Sequence, residues 1–171
     1  SVYIQHKLAA KWELSISGNL DYNFGGLERL YPGFILTNYR NLQRYNAPIL
    51  EQVTQNYSTS LNYRNPIKRL FAKASYSYGK TKNNLLFGSQ IDPNGTSILE
   101  AVVRDNYANS HRFNVEASKY LSRLNTSLKL NASYSISERE QLLNATLVKN
   151  ENTNFNLNGS LESELSAWLS L

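Results

Sequence analysis

The amino-acid sequence predicts an all-β fold, an antiparallel up-and-down meander, because one pattern recurs along most of the chain. Apolar and polar residues alternate with period two, which places the apolar side chains on one face of a strand. In residues 125–137, Leu128, Leu130 and Ile136 alternate with Lys129 and with serine and asparagine. A helix would scatter these residues around its circumference, because successive side chains there turn by about 100°. The pattern therefore indicates strands with one apolar face.

The alternation predicts eight strands, of which the last is short. The strands are expected at residues 4–12, 14–24, 53–63, 70–80, 110–117, 124–136, 153–165 and 167–171. A tilted strand needs about 9 to 11 residues to cross a membrane, and several of the predicted strands have that length. Strands of soluble sheets more often have about five or six residues.

Two kinds of connection alternate between these strands. Short turns are expected at 13–15, 65–69, 121–124 and 166, and long loops at 25–52, 81–109 and 138–152. In a meander every second connection lies at the same end, and outer-membrane barrels have short turns at one end and long loops at the other. Within the second loop, Pro93 and Gly95 predict a hairpin tip, so the fourth and fifth strands should continue as an extracellular ribbon.

Aromatic residues concentrate at both ends of the predicted strands. Those beside the short turns are Trp12, Tyr63, Tyr120 and Trp168, and those toward the long loops include Tyr22, Phe24, Tyr57, Tyr76, Tyr78 and Tyr134. Two aromatic girdles that bound an apolar band are typical of a barrel at its two membrane interfaces. The opposite, polar faces carry serine, asparagine and a few charges, which suits a water-filled lumen. The chain is therefore predicted to form part of a transmembrane β-barrel; a soluble sheet with an aromatic core is the alternative.

Composition narrows the possible partners and chemistry. The chain has 171 residues, a net charge of +5 and no cysteine or methionine. The length suits one segment without separate domains, and the absence of methionine suggests an internal piece of a longer protein. Lysine and arginine are dispersed, which argues against nucleic acid as a partner. Outer-membrane lipid and the remaining barrel strands are the expected partners.

The sequence offers little catalytic chemistry, so we expect no enzyme activity and no cofactor. The two histidines are His6 and His111. Ser110 next to His111 suggests a barrel-embedded hydrolase, but adjacent strand residues point to opposite faces and cannot form a dyad directly. Metal-ligand spacing and a phosphate-binding loop are both absent.

The first long loop holds candidate contacts to a ligand or to a plug domain. These are the aromatic and arginine residues Tyr31, Phe34, Tyr39, Arg40, Arg44 and Tyr45. Packing within the loop itself is the alternative use of such side chains.

Several sequence segments together resemble a known family. They are Lys11-Trp12-Glu13-Leu14-Ser15, the stretch 30–40 with Asn46-Ala47-Pro48, Leu61-Asn62-Tyr63-Arg64-Asn65-Pro66, and Ala74-Ser75-Tyr76-Ser77-Tyr78. The chain resembles the barrel of TonB-dependent-receptor-like outer-membrane proteins of the Bacteroides group. This resemblance implies a 22-stranded barrel with an internal plug, TonB-driven nutrient import at the cell outer membrane, and TonB and a surface lipoprotein as partners. A secreted or surface β-sheet module for adhesion or glycan binding remains an alternative function.

Overall fold

A computed structural model describes residues 1–26, 33, 35–44, 48–91, 93–166, 169 and 170. The described part of the chain forms ten strands and no helix, and so contains no helix able to cross a membrane. The strands are β1 (Val2–Ala9), β2 (Trp12–Phe24), β3 (Ile35–Asn38), β4 (Asn41–Arg44), β5 (Glu51–Asn65), β6 (Leu70–Ile91), β7 (Ser97–Leu121), β8 (Thr126–Leu143), β9 (Thr146–Ser166) and β10 (Leu169–Ser170). The all-β prediction is confirmed.

The strands form one sheet in the order β1-β2-β5-β6-β7-β8-β9-β10, with antiparallel neighbours throughout this path. This path contains the long strands that the alternation predicts. The prediction of a wholly antiparallel sheet is wrong, because β4 pairs parallel to β7 and β6 pairs parallel to β8. In the described residues the sheet is not closed, since β1 and β9 are not paired with each other.

Three connections differ from the predicted ones. The turn predicted at Ser166 is wrong, because Ser166 belongs to β9 and pairs with Leu169 of β10. The first turn lies at residues 10 and 11 rather than 13–15, because the alternation of β2 continues back to Trp12, which pairs with Ala9.

The connection at 138–152 is not a loop: β8 and β9 extend until only Asn144 and Ala145 separate them. Both residues have positive φ, 47° and 61°, which is the backbone of a two-residue type I′ hairpin turn. This turn matches the twist of the flanking strands, so the ladder continues to its tip.

The predicted hairpin tip between the fourth and fifth long strands is confirmed. β6 ends at Ile91 and β7 begins at Ser97, with Gly95 at φ +79° in the left-handed region that glycine tolerates. The first long loop holds the additional hairpin β3–β4, which the sequence pattern did not predict.

The ribbon of β6 and β7 turns over along its length. In the main sheet β6 pairs with β5 and β7 pairs with β8. Near the tip, β7 pairs with β4 from Asn41↔Ser97 to Arg44↔Glu100, and β6 pairs with β8 at Gly88↔Leu142. The two strands have exchanged sides, which requires about half a turn of the ribbon around its own axis. This exchange produces both parallel pairings.

A β-bulge lies where the ribbon turns over. Between the pairs Asn83↔Asn106 and Leu85↔Val103, one residue of β6 faces two of β7. Such a bulge increases the local right-handed twist. Leu85 and Leu86, on opposite faces of β6, are 3% and 2% exposed, and they are the buried apolar core of the described residues.

Two asparagines satisfy the backbone around this bulge. The Asn106 side chain is 5% exposed and donates to the carbonyl oxygens of Leu85 at 2.8 Å and Arg104 at 3.1 Å. The Asn84 carboxamide donates to the Ile49 carbonyl at 3.0 Å and accepts from the Glu51 N–H at 2.8 Å. The Asn84 side chain thus makes with Ile49 and Glu51 the pair of hydrogen bonds that a backbone peptide group of a neighbouring strand would make.

Replacing Asn106 by alanine should lower the free energy of unfolding by about 1 to 3 kcal/mol, because buried backbone carbonyls lose their donor. Asn131→Ala, at an exposed position of β8, should change it by less than about 0.5 kcal/mol. Urea unfolding of the protein in detergent measures both. Equal effects of the two substitutions would contradict the role given to Asn106.

Replacing Ala145 by glycine should raise the stability by about 1 kcal/mol, because a Cβ is unfavourable at positive φ. Ala132→Gly, inside β8, should have the opposite sign, since glycine costs entropy in a strand. The same urea titration compares them. A loss of stability with Ala145→Gly would show that the turn is not of this type.

Candidate functional site

The strand register assembles the alternating apolar residues into one continuous face across the sheet, called the apolar face below. One cross-strand row is Leu14, Leu61, Ala74, Val115, Ala132 and Leu157, and the next is Ile16, Thr59, Tyr76, Phe113, Tyr134 and Phe155. No strand breaks the parity in these rows. The local pattern of each strand is therefore also a property of the whole sheet.

The apolar face is exposed. Leu157 is 63% exposed, Val115 52% and Ile16 47%, and no second layer of the described residues covers them. The total accessible surface is 12213 Å², whereas a compact monomer of 19.5 kDa is expected to expose about 8,500 Å². A face of this size exceeds the apolar patch of a few hundred Å² that a soluble monomer usually exposes. Contact with another apolar phase or surface would relieve this exposure.

Aromatic rings lie at both ends of the apolar face, as one pair at the short-turn end and as a row across several strands at the other end. At the short-turn end, the rings of Trp12 and Tyr63 lie 4.8 Å apart. At the other end, Tyr76 packs on Phe113 at 4.7 Å and Tyr57 stacks on Tyr78 at 6.5 Å. Aromatic rings at both ends give the arrangement that interfacial side chains need, with an apolar ring and a polar edge.

The predicted interface aromatics fall into three groups. Trp12, Tyr63, Tyr22, Phe24, Tyr78 and Tyr134 lie on the apolar face. Tyr120 lies on the opposite face, where its ring packs 4.6 Å from the Arg69 guanidinium. Trp168 lies outside the described residues. Phe113 and Phe155 belong to the upper border and were not predicted; extending the parity of their strands would have found them.

The upper border runs obliquely to the strands. Phe24 pairs with Glu51, which is level with Asn84 of β6, whereas Phe155 at the far side is level with Tyr76. Eight residues of strand correspond to about 27 Å, and the five strand spacings crossed correspond to about 24 Å. The band thus slants by about 45° to the strand normal, close to the strand tilt of transmembrane barrels.

Charged residues follow directly beyond this border on the same face. Lys80, Glu138 and Glu151 share one cross-strand row, and Lys149 bonds Glu138 at 3.0 Å and Glu151 at 3.2 Å. The hydrogen bond to Glu138, followed by that to Glu151, raises the pKa of Lys149. The apolar band therefore ends sharply against a charged rim.

The opposite, polar face carries mainly hydroxyl and amide groups. Its middle rows are Ser15, Ser60, Ser75, Asn114, Ser133 and Asn156, followed by Ser17, Ser58, Ser77, Arg112, Ser135 and Asn154. Direct hydrogen bonds link some of them, such as Ser17 and Ser58 at 2.7 Å.

Two clefts open on this polar face. The upper cleft, of about 520 Å³, is lined by residues that include Asn56, Thr81, Ser110, Arg139 and Asn152. The lower cleft, of about 670 Å³, is lined by residues that include Arg64, Phe71, Lys73, Glu116 and Lys129. Each touches every strand from β5 to β9, about 19 Å across. Single clefts of that width indicate a sheet that curves toward its polar face.

The loop residues predicted as ligand or plug contacts are only partly described. Tyr31, Phe34 and Tyr45 lie outside the described residues, and Arg44 ends β4. Tyr39 is 89% exposed at the β3–β4 turn, with the Arg40 guanidinium 5.6 Å from its ring. Their use as contacts stays a prediction.

Ser110 and His111 face opposite sides of β7, as their adjacency predicts. Ser110 lines the upper cleft, whereas the Nδ1 atom of His111 lies 2.9 Å from the Tyr76 hydroxyl on the apolar face. These two residues therefore form no nucleophile–base pair. The described residues also contain no His, Cys, Asp and Glu cluster suited to a metal ion.

Comparison of the chain with protein-family models gave no match, and neither did comparison with curated protein sequences.

Proposed function

We propose that the chain forms part of the wall of a β-barrel in a bacterial outer membrane. Its apolar face contacts lipid, its polar face lines the lumen, and the ribbon of β6 and β7 stands outside the membrane. The barrel belongs to a transporter or receptor similar to TonB-dependent importers, with a plug domain, TonB and a surface lipoprotein as partners. This last part rests on the sequence resemblance.

One observation carries the proposal: the exposed apolar face ends at a row of aromatic rings followed by charge at the long-loop end, and it has the Trp12–Tyr63 ring pair at the short-turn end. Lipid tails would cover such a face without a second protein layer, and the rings would lie where hydrocarbon meets water. A soluble sandwich would instead require a matching apolar layer about 10 Å away. A surface module for adhesion or glycan binding is therefore less well supported.

The two sides of the sheet need further strands in this environment. β1 has one unpaired side, and β9 pairs on its outer side only with the short β10 in the described residues. Unpaired backbone groups in hydrocarbon cost several kcal/mol each. In the proposed barrel, strands from a longer chain or from other copies complete the wall.

Arginine substitutions on neighbouring residues of β9 test the lipid-facing role. Leu157 and Asn156 are both exposed but lie on opposite faces. Leu157→Arg should impair assembly into the outer membrane, because Leu157 lies on the lipid-facing side, inside the border residue Phe155. The cost of an arginine on that side rises from the interface to about 2 to 4 kcal/mol at the midplane. Asn156→Arg, the matched control, should assemble normally in a membrane-fractionation assay with a heat-modifiable gel shift. Equal assembly of the two variants would point to the soluble alternative.

Single cysteines test the orientation, since the chain has none of its own. Cysteines at Asn94 and Asn144, in the turns at the ribbon end, should react with a membrane-impermeant thiol reagent on intact cells. Cysteines at Lys68 and Arg123, in the turns at the opposite end, should react only after lysis. Labelling of all four positions on intact cells would contradict the proposed orientation.

A further inference from the structure

We infer that the polar face carries an anion-binding track formed by Arg64, Arg112 and Arg139. Its ligands are solutes that bear carboxylate, sulfate or phosphate groups. The inference rests on the proposed function, in which this face lines the lumen, and it adds a class of solute to it.

The lysines of the polar face differ from these arginines in their surroundings. Lys7 pairs across the strands with Glu13, Lys73 pairs with Glu116, and Lys129 lies 2.8 Å from Glu162. Lys129 is therefore ion-paired, and Lys7 and Lys73 each have a carboxylate at the directly opposite position.

In the part of the chain that the structure describes, none of the three arginines has a carboxylate directly opposite on a neighbouring strand. Arg64 faces Phe71, Arg112 faces Ser77 and Ser135, and Arg139 faces Ala108 and Asn150. Among the described residues none of the three forms an ion pair within 4.0 Å, and all three are exposed. The positive charge that remains on the polar face is thus concentrated on guanidinium groups.

The three arginines lie in sequence along the face. Arg139 lines the upper cleft and Arg64 lines the lower one. Arg112 lies in the rows between the two clefts, where it is the one charged side chain among serines and asparagines of β2 and β5 to β9. Strand rise and spacing put Arg112 about 14 Å from Arg139 and about 22 Å from Arg64. A solute that moves between the clefts passes Arg112.

The side chains around Arg112, between the two clefts, suit the binding of an oxyanion. A guanidinium offers two parallel N–H donors to a carboxylate, sulfate or phosphate. These donors are fixed in the plane of the group, whereas an ammonium is a compact charge without such paired donors. The hydroxyls of Ser77 and Ser135 on the two flanking strands can donate to the remaining oxygens. Rings or tracks of such cations select anions in other pores. Separated sites, each of modest affinity, allow the solute to move from one to the next.

Binding of 8-aminonaphthalene-1,3,6-trisulfonate, a fluorescent trianion, tests the track. The protein is purified from outer membranes in mild detergent, and fluorescence anisotropy is titrated at low salt. We expect binding by the unsubstituted protein that weakens as salt is added. Arg112→Gln should weaken it about tenfold or more, because charge-assisted hydrogen bonds are lost. The affinity of Arg112→Lys should lie between those of the unsubstituted protein and Arg112→Gln, because lysine keeps the positive charge but lacks the paired N–H donors.

Arg104→Gln is the matched control, with the same change of charge at the bulge of β7 and outside the polar rows. It should bind the trianion like the unsubstituted protein, and Arg139→Gln should resemble Arg112→Gln. Equal affinity of all variants, an equal loss with Arg104→Gln, or no binding by an assembled protein would each overturn the track. In those cases the assembly difference between Leu157→Arg and Asn156→Arg would still stand. Failure of that assembly test would remove the lumen and the track together.

Discussion

The register between neighbouring strands is the constraint on which the rest of the structure depends. Side chains alternate between the faces of a strand, so a slip of one residue would move every apolar side chain of that strand to the polar face. From β2 to β9 the pairs keep Leu14, Leu61 and Ala74 in one row and Ser15, Ser60 and Ser75 in the next. A single layer of strands therefore has an apolar surface on one side and a polar surface on the other.

The single layer of strands explains why the described residues have almost no buried apolar core. In a soluble domain the apolar faces of two layers cover each other. Here the buried apolar residues of the described chain are confined to Leu85 and Leu86, where the ribbon turns over. Stability of the isolated sheet therefore comes mainly from cross-strand hydrogen bonds and side-chain pairs. In the proposed barrel, the apolar face contributes as well, because lipid covers it.

The turned-over ribbon and the polar face meet at the upper end of the sheet. Because the two strands exchange sides, β6 pairs with the end of β8 and β7 pairs with the β3–β4 hairpin. These pairings connect the hairpin, the ribbon and the end of β8 above the upper cleft. Gly88 permits the close approach, because a Cβ there would lie 3.0 Å from the Cβ of Leu142. In the proposed barrel this arrangement gives a rigid entrance above the arginines.

The sequence alone determined the strand faces, the short turns at 65–69 and 121–124, and the hairpin tip at Pro93 to Gly95. These features depend on period-two alternation and on turn residues, which act within a few positions of the chain. The tertiary structure decided the rest. Three features depend on which strand edges are free to pair, and therefore on contacts between segments that are distant in the sequence. They are the exchange of sides by β6 and β7, the β3–β4 hairpin, and the extension of β8 and β9 to Asn144. The same holds for the polar face. Arg64, Arg112 and Arg139 are far apart in the sequence, and only the register places them in order from the lower cleft to the upper one.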